Sequence, residues 1–244
     1  MPVESLRFEP VVRAAVSDAV FARLRDAVLT GELQPGEALP GERRLAEQFG
    51  VARHALREAL RRLEQVGLVS VSHGGATRVL DWRTHAGLEI VPELTTSTGP
   101  PPVDVLRSVL EMRLAIGRDA AQLAAARISA DAVAELRAHV DGTARAIDEG
   151  AGHPELGERY RHYWRLILLA SENLAYQLAY NSLLKALDQY ADLSRRLGGS
   201  EVADLPVHRR LEHAIAGHDA AAAALAAENL TSRMLRALPA AGPL

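Results

Sequence analysis

Two short amphipathic patterns, separated by one glycine, constrain the fold of this chain more than any other feature. They lie within residues 35–68, on either side of Gly50. The second pattern has arginines on one stripe and apolar residues on the other: Arg53, Arg57 and Arg61 against Val51, Leu56, Leu60 and Leu63. A helix with this pattern would be anchored by its apolar side and would expose guanidinium groups one turn apart. Such a helix suits the major groove of DNA, so the sequence predicts a DNA-binding regulator.

The overall composition is that of an ordinary globular protein. The chain has 244 residues, of which 48% are hydrophobic and 24% charged, and a formal net charge of -3. The net charge does not indicate nucleic-acid binding, but its distribution does. Residues 40–80 contain seven arginines and four glutamates, so this segment is locally basic within an acidic chain.

Several classes of protein are disfavoured by what the sequence lacks. There is no cysteine, which excludes disulfides and thiolate metal sites. No stretch approaches the roughly 20 apolar residues that are needed to span a bilayer. The first ten residues contain acids and lack the apolar core of a secretory signal. We therefore expect a cytoplasmic protein without a membrane partner.

The first third of the chain predicts a winged helix-turn-helix domain over residues 16–80. A loose arm (1–15) precedes a helix from Ser17 to about Thr30, and a turn-rich connector follows. Two helices are expected at about 42–49 and 52–66. Alternating residues at 68–72 and 77–80 then predict a β-hairpin around His73-Gly74-Gly75. Three helices plus a hairpin complete this domain.

The rest of the chain predicts helices only. Residues 81–101 have the composition of a linker, with room for a short helical piece around 85–94. Residues 102–240 predict one all-helical bundle. Its helices are expected near 103–127, 130–149, 155–171, 173–197, 204–217 and 219–237. The predicted fold class is therefore mainly α.

The candidate DNA contacts lie around the second pattern. Arg53 and Arg57 are one turn apart where a recognition helix meets base edges, and arginine can donate two parallel bonds to guanine. The remaining candidates are Arg43 at the start of the preceding helix, His54, and the wing residues His73 and Gly74. We expect Arg44, Arg61 and Arg62 to contact phosphate or solvent. A merely solvated amphipathic helix would explain the arginine stripe alone, but not the order of helices followed by a hairpin.

The run PGEALPGERRLAEQFGVARHALREALRRLEQVGLVSVSHGG resembles the GntR superfamily of bacterial transcription regulators. The resemblance covers about residues 16–80 and rests on the motifs PG-x-x-LP-x-ER-x-LA and GV-x-R-x-x-x-R-x-AL-x-x-L-x-x-x-G-L. It implies that Arg43, Arg53, Arg57, His73 and Gly74 occupy DNA-contacting positions of FadR-type members. Ala52 and Ala55 stand where Ser or Thr is frequent, and His54 also departs from the common choices.

The helical half resembles the FCD effector domain of the FadR-type branch. The resemblance rests on LRSVLEMRLAIGRDAAQLAAAR at 106–127, LASEN at 169–173 and HRRLEHAIAGHDAAAA from His208. Many family members hold a divalent metal through an Asp-x-x-x-His pair and two later histidines. Here Tyr160 and Trp164 occupy the first pair, His208 matches one histidine, and the last falls at Asn229 or Leu230. The resemblance therefore implies no metal site and no cofactor, although His162 and His213 remain possible extra donors.

Aromatic residues in place of metal ligands point to an apolar effector pocket. Tyr160, Trp164, Tyr176 and Tyr180 would supply its walls and Arg113 one fixed charge, which suits an apolar ligand with an anionic group. The related fatty-acyl-CoA-responsive regulator also lacks the metal, and Ser232 agrees with a position used there. The resemblance thus implies an acyl-CoA or lipid-like effector. Each of these aromatics also fits an ordinary core position.

Three functions remain open from the sequence. The first is a dimeric, ligand-responsive repressor that binds a short palindromic operator in double-stranded DNA. The second is the same regulator with a metal-assisted carboxylate or sugar-acid effector. The third, an enzyme built on the helical domain, is disfavoured because no nucleophile–base pair, phosphate loop or pair of catalytic carboxylates stands out.

Overall fold

The computed structural model describes residues 14–72, 76–94, 103–188, 199 and 201–239. The chain divides into two compact units, the first ending at Glu93 and the second beginning at Leu94. Most of the predicted arm, the wing tip with His73 and Gly74, and the last nine residues of the helix expected at 173–197 lie outside the described residues. None of the described helices is long and apolar enough to cross a bilayer.

The first unit contains the predicted winged helix-turn-helix. Helices α1 (Ala14–Leu29), α2 (Glu42–Phe49) and α3 (Arg53–Gln65) are followed by strands β1 (Val69–Ser70) and β2 (Arg78–Val79). The strands are antiparallel, and Val69 pairs with Val79. The order of three helices and a hairpin is confirmed.

The turn between α2 and α3 depends on Gly50. This residue ends α2 in the left-handed region (φ 64°), where glycine has no steric penalty. The turn lets α3 pack on α1 through its apolar stripe, and Leu56, Ala59 and Leu63 are fully buried there. Burying each such leucine contributes about 1.5–3 kcal/mol, so the apolar side fixes which face of α3 meets solvent.

The connector before α2 forms a third strand-like segment of the wing. The Val79 amide donates to the Glu37 carbonyl at 2.9 Å, and the Leu39 amide donates to the Thr77 carbonyl at 2.8 Å. Leu39 is buried. The sequence predicted only a turn-rich connector here, because its Pro-Gly pairs mask the short extended stretch between them.

Short helical segments follow the wing within residues 82–94. They are α4 (Trp82–His85), a 3-10 turn (Leu88–Ile90) and α5 (Val91–Leu94). Ile90 is buried, and Glu93 accepts a hydrogen bond from Arg25 of α1 at 3.0 Å. These contacts attach the segment up to Glu93 to the first unit.

The second unit is a bundle of α-helices. Its described helices are α6 (Val103–Arg127), α7 (Ala130–Asp148), α8 (His153–Ala170), α9 (Leu174–Asp188), α10 (Leu205–Ala216) and α11 (Ala220–Ala237). Helix α6 makes its most extensive contact with α11. Small residues such as Ala120, Ala124, Ala223 and Ala227 are fully buried, so close packing accounts for the alanine-rich run of α11.

Candidate DNA-binding surface and effector cavity

Helix α3 presents polar side chains on the face opposite its buried stripe. Arg53, His54 and Arg57 are exposed, whereas Ala55 and Leu56 are buried. Ala52 is the N-cap and supplies no side-chain hydrogen bond. The free amides of the first turn of α3 are therefore not capped by that side chain.

An ion pair joins α3 to α2. The Nε of Arg57 lies 2.7 Å from Oε2 of Glu42, the first residue of α2. Both side chains remain accessible, with 61% and 36% of their surfaces exposed. Arg43, the next residue of α2, is more exposed, and its Nε lies 3.9 Å from Oε1 of Glu47.

Arg62 differs from Arg44 and Arg61, the other two arginines expected to contact phosphate or solvent, because it also packs against α1. Its guanidinium carbon lies 4.2 Å from the centre of the Phe21 ring, and its Nη1 hydrogen-bonds to Asp18. Both partners belong to α1. Arg44 and Arg61 are exposed, as expected.

A cavity of about 510 Å³ lies in the second unit. Its walls come from the beginning of α8, the end of α9, α6, α11 and the residues just before α10. The residues that line it are Arg113, His153, Pro154, Glu155, Gly157, Glu158, Tyr160, Arg161, Leu184, Leu187, Asp188, Glu201, Val202 and Met234. Most of the exposed wall is apolar, which suits a ligand with a hydrocarbon body.

A buried polar cluster forms one wall of this cavity. The Arg113 Nη2 donates to Glu201 Oε2 at 2.7 Å and to the Tyr160 hydroxyl at 2.8 Å. That hydroxyl in turn donates to Glu201 Oε2 at 3.1 Å. The other carboxylate oxygen of Glu201 accepts from the Met234 amide at 2.9 Å. The structure thus brings together the predicted residues Arg113 and Tyr160, with Glu201 as a third member that the sequence did not reveal.

Burial and neighbouring charges raise the pKa of two members of this cluster, Arg113 and Tyr160. Burial is the largest single influence and disfavours the charge of Arg113. Attraction to Glu201, together with Tyr160 and Tyr180, outweighs it and raises the pKa of Arg113 well above its ordinary value. Burial, together with the negative charge of Glu201, raises the pKa of Tyr160. The tyrosine therefore stays a neutral hydrogen-bond donor at the cavity wall.

Trp164 and Tyr180 lie in the core, whereas Tyr160 lines the cavity. Trp164 and Tyr180 each have 1% of their surface exposed, and the centres of their rings are 5.8 Å apart. A Cβ on Gly117 of α6 would lie 3.2 Å from the indole, so this helix approaches closely because glycine has no side chain. Tyr180 also borders a second cavity of about 180 Å³ between α8 and α9. The indole Nε1 and the Tyr180 hydroxyl are buried without a hydrogen-bond partner among the described residues.

His208 is buried beside the polar cluster. Its Nε2 lies 2.9 Å from the Glu201 carbonyl oxygen, and its ring stacks on Tyr163 at 4.9 Å. Burial is the main cause that lowers its pKa to about 4, so the ring is neutral near pH 7. His162 and His213 are exposed. The described part of the chain contains no group of three or more His, Asp or Glu side chains arranged to hold a metal ion.

The remaining effector candidates lie apart from the cavity wall. The Tyr176 hydroxyl donates to Asp119 at 3.1 Å. Asn229 is exposed on α11, and the buried Ser232 hydroxyl donates to the Asn229 carbonyl at 3.5 Å. The described lining of the 510 Å³ cavity includes none of the three.

Comparison with known proteins identifies both units. Residues 16–79 match the model of bacterial regulatory proteins of the gntR family, and residues 108–236 match that of the FCD domain. The chain is 38% identical over 228 residues to the HTH-type transcriptional regulator Mce2R of Mycobacterium tuberculosis, covering 92% of each. It is 34% identical over 105 residues to the fatty acid metabolism regulator protein of Vibrio cholerae, covering 42% and 38% of the two.

A solved structure shares the fold. It is that of Lar, which controls the expression of the Listeria monocytogenes agr system; the TM-score is 0.52 at 17% identity, covering 95% of this chain and 97% of the other. The relatives identified by sequence are transcriptional regulators and not enzymes. The chain therefore belongs to the GntR family of DNA-binding transcriptional regulators and carries a C-terminal FCD domain.

Proposed function

We propose that this regulator is a ligand-responsive repressor that binds a short palindromic operator as a homodimer. Residues 16–80 would bind DNA, residues 81–101 would link the two halves, and residues 102–240 would bind the effector and dimerise. The observation that carries the DNA contact is the exposed row of Arg53 and Arg57 on a helix whose opposite face is buried. Two such helices related by a twofold axis would read the two halves of a palindrome.

The proposed DNA contacts are Arg43, Arg53, His54, Arg57, His73 and Gly74. Arg53 and Arg57 would donate to base edges, and Arg43 would reach the groove or its rim. His73 and Gly74, at the predicted wing tip, would approach the minor groove. The exposure of Arg43, Arg53, His54 and Arg57 supports this assignment.

For the effector we propose an acyl-CoA or another lipid-like molecule. A cavity of about 510 Å³ with mostly apolar walls is large enough for a hydrocarbon chain, and Tyr160 and Arg113 provide polar groups at one wall. A fatty acid metabolism regulator protein among the relatives supports a ligand of this class. To control transcription, the ligand must favour the arrangement that does not bind DNA by some 1–3 kcal/mol or more.

Native mass spectrometry of the purified full-length protein tests the effector. We expect an acyl-bearing mass on the wild type and on Gly157→Ala, and less of it on Gly157→Leu. Gly157 lines the cavity and a Cβ there meets nothing within 4 Å, so the two variants differ mainly in how much cavity they fill.

A different outcome would favour the metal-assisted alternative. Stoichiometric metal with a bound carboxylate, both lost in His208→Ala, would overturn the lipid-like assignment. Protein that carries no lipid and binds no added acyl-CoA would contradict it as well.

A further inference from the structure

Glu42 and Arg57 come from different helices but form one hydrogen-bonded unit. The Glu42 carboxylate binds the Nε of Arg57, the nitrogen nearest the aliphatic stem. Among the described residues, no hydrogen bond involves the two terminal nitrogens of that guanidinium. This pair of terminal nitrogens is the part of arginine that donates two parallel bonds to O6 and N7 of guanine.

We infer that Glu42 is a positioning residue that makes Arg57 read guanine rather than phosphate. A flexible arginine loses rotamer entropy when it is held for bidentate bonding, and a fixed partner at Nε removes part of that loss before DNA arrives. The 2.7 Å contact fixes the end of the side chain while 61% of its surface stays open to a ligand. This inference rests on the proposed function, since it requires Arg57 to face DNA.

The negative charge of Glu42 also favours guanine over phosphate as the partner of Arg57. A carboxylate beside the guanidinium repels phosphate oxygens, whereas the guanine edge is an uncharged acceptor pair. Binding to the DNA backbone would therefore be weakened more than binding to the base. Such an arrangement lowers the affinity for every duplex and increases the discrimination between sequences.

A second ion pair, which lies entirely within α2, provides the matched control. Arg43 and Glu47 are both more than two-thirds exposed, and their closest atoms are 3.9 Å apart, too far for a hydrogen bond. Removing the Glu47 carboxylate changes net charge by the same amount as removing that of Glu42. Removing the Glu47 carboxylate leaves the hydrogen bond between Glu42 and Arg57 in place.

The experiment is a selection of binding sites from random duplex DNA by the full-length protein. Wild type, Arg57→Ala, Glu42→Ala, Glu42→Gln and Glu47→Ala would be compared, followed by titrations of the selected duplex at several salt concentrations. We expect Arg57→Ala to lose a guanine preference at one position of each half-site. Glu42→Ala should lose roughly tenfold of the discrimination at that same position, and Glu47→Ala should keep it.

Glu42→Gln separates positioning from a structural role. Its amide oxygen can still accept from Nε, so we expect it to retain much of the guanine preference. Without the carboxylate charge, binding to unrelated DNA should tighten and depend more steeply on salt, by about one unit of slope at most. This variant also keeps an acceptor at the beginning of α2 in case Glu42→Ala fails to fold.

Two outcomes would overturn the inference, and they are distinguishable. If Arg57→Ala loses the guanine preference while Glu42→Ala and Glu42→Gln keep wild-type discrimination and salt dependence, Glu42 does not position Arg57. If Arg57→Ala changes no base preference, the proposed DNA contact of Arg57 fails, and the role of Glu42 fails with it.

Discussion

The Arg113 guanidinium and the Glu201 carboxylate form a buried ion pair, with 2.7 Å between Nη2 and Oε2 and side-chain exposures of 3% and 1%. The pair links α6 to the residues before α10, and the Met234 amide extends the link to α11. Such a pair has a large desolvation cost, which its hydrogen bonds to Tyr160 and Met234 help to offset. Both residues also line the 510 Å³ cavity.

Breaking this pair should destabilise the protein strongly. Arg113→Met would leave Glu201 buried without its main partner, at a cost of about 3–5 kcal/mol in the free energy of unfolding. Arg113→Met combined with Glu201→Leu should recover much of that loss. Urea unfolding followed by circular dichroism measures the free energy of unfolding of the single and the double variant. Arg23→Met, which breaks the exposed Arg23–Glu32 pair, is the control. A midpoint for Arg113→Met equal to that of the control would contradict the buried pair.

Acid should destabilise the protein through His208. Its pKa is lowered to about 4 in the folded state, mainly by burial, against about 6.5 when unfolded. The stabilisation is present above pH 6.5 and is lost as the pH falls towards 4, because only the unfolded chain takes up the proton in that window. The loss amounts to about 3 kcal/mol.

Comparing wild type with His208→Gln isolates this contribution from that of the carboxylates. Neighbours of His208 with opposing effects on its pKa, Asp204 and His139, are unchanged in the variant. The difference in unfolding free energy between the two proteins should shrink as the pH falls from 6.5 to 4. A difference that stays constant across this range would show that His208 titrates normally.

Trp164→Ala tests whether the indole belongs to the core or to the effector pocket. The sequence placed Trp164 in the pocket, whereas the structure buries it against Gly117 and Tyr180. We expect truncation to lower the free energy of unfolding by about 3–5 kcal/mol, and Trp164→Phe by less. Thermal unfolding and ligand titration would be measured together. If Trp164→Ala has the stability of the wild type but no longer responds to the ligand, Trp164 belongs to the effector pocket.

Neighbouring arginines at the end of α3 should behave differently. Arg62 stacks on Phe21 and pairs with Asp18, so Arg62→Ala should cost about 1 kcal/mol of stability. Arg61 is exposed, and Arg61→Ala should leave stability nearly unchanged while weakening binding to any duplex through a lost phosphate contact. Thermal unfolding and binding to non-specific DNA, measured on both variants, check the contrast. Equal stability of the two variants would contradict it.

The helix-turn-helix was predictable because its signals are local. The helical period of α3 and the glycine that ends α2 are properties of adjacent residues, and they are realised as expected. The strand-like segment at Glu37 and Leu39 was missed because it pairs with residues about 40 positions later. Its own sequence carries only turn signals.

The 510 Å³ cavity of the second unit was predictable in part. Arg113 and Tyr160 were singled out correctly as neighbours in space, but their partner Glu201 follows a Gly-Gly-Ser run with no period to mark it. Tyr160 and Trp164 are one turn apart and therefore share a face of α8. The helical period does not show that the cavity lies beside the beginning of α8, near Tyr160, whereas the core lies beside its middle, near Trp164.

We expect α3 to read a DNA sequence. The most direct measurement is the affinity of the full-length protein, at moderate salt, for a palindrome from upstream of its own operon and for random duplex of equal length. We predict that the palindrome binds at least a hundredfold more tightly and that Arg57→Ala removes about 1–3 kcal/mol of that difference. Equal affinity for both duplexes would contradict the account.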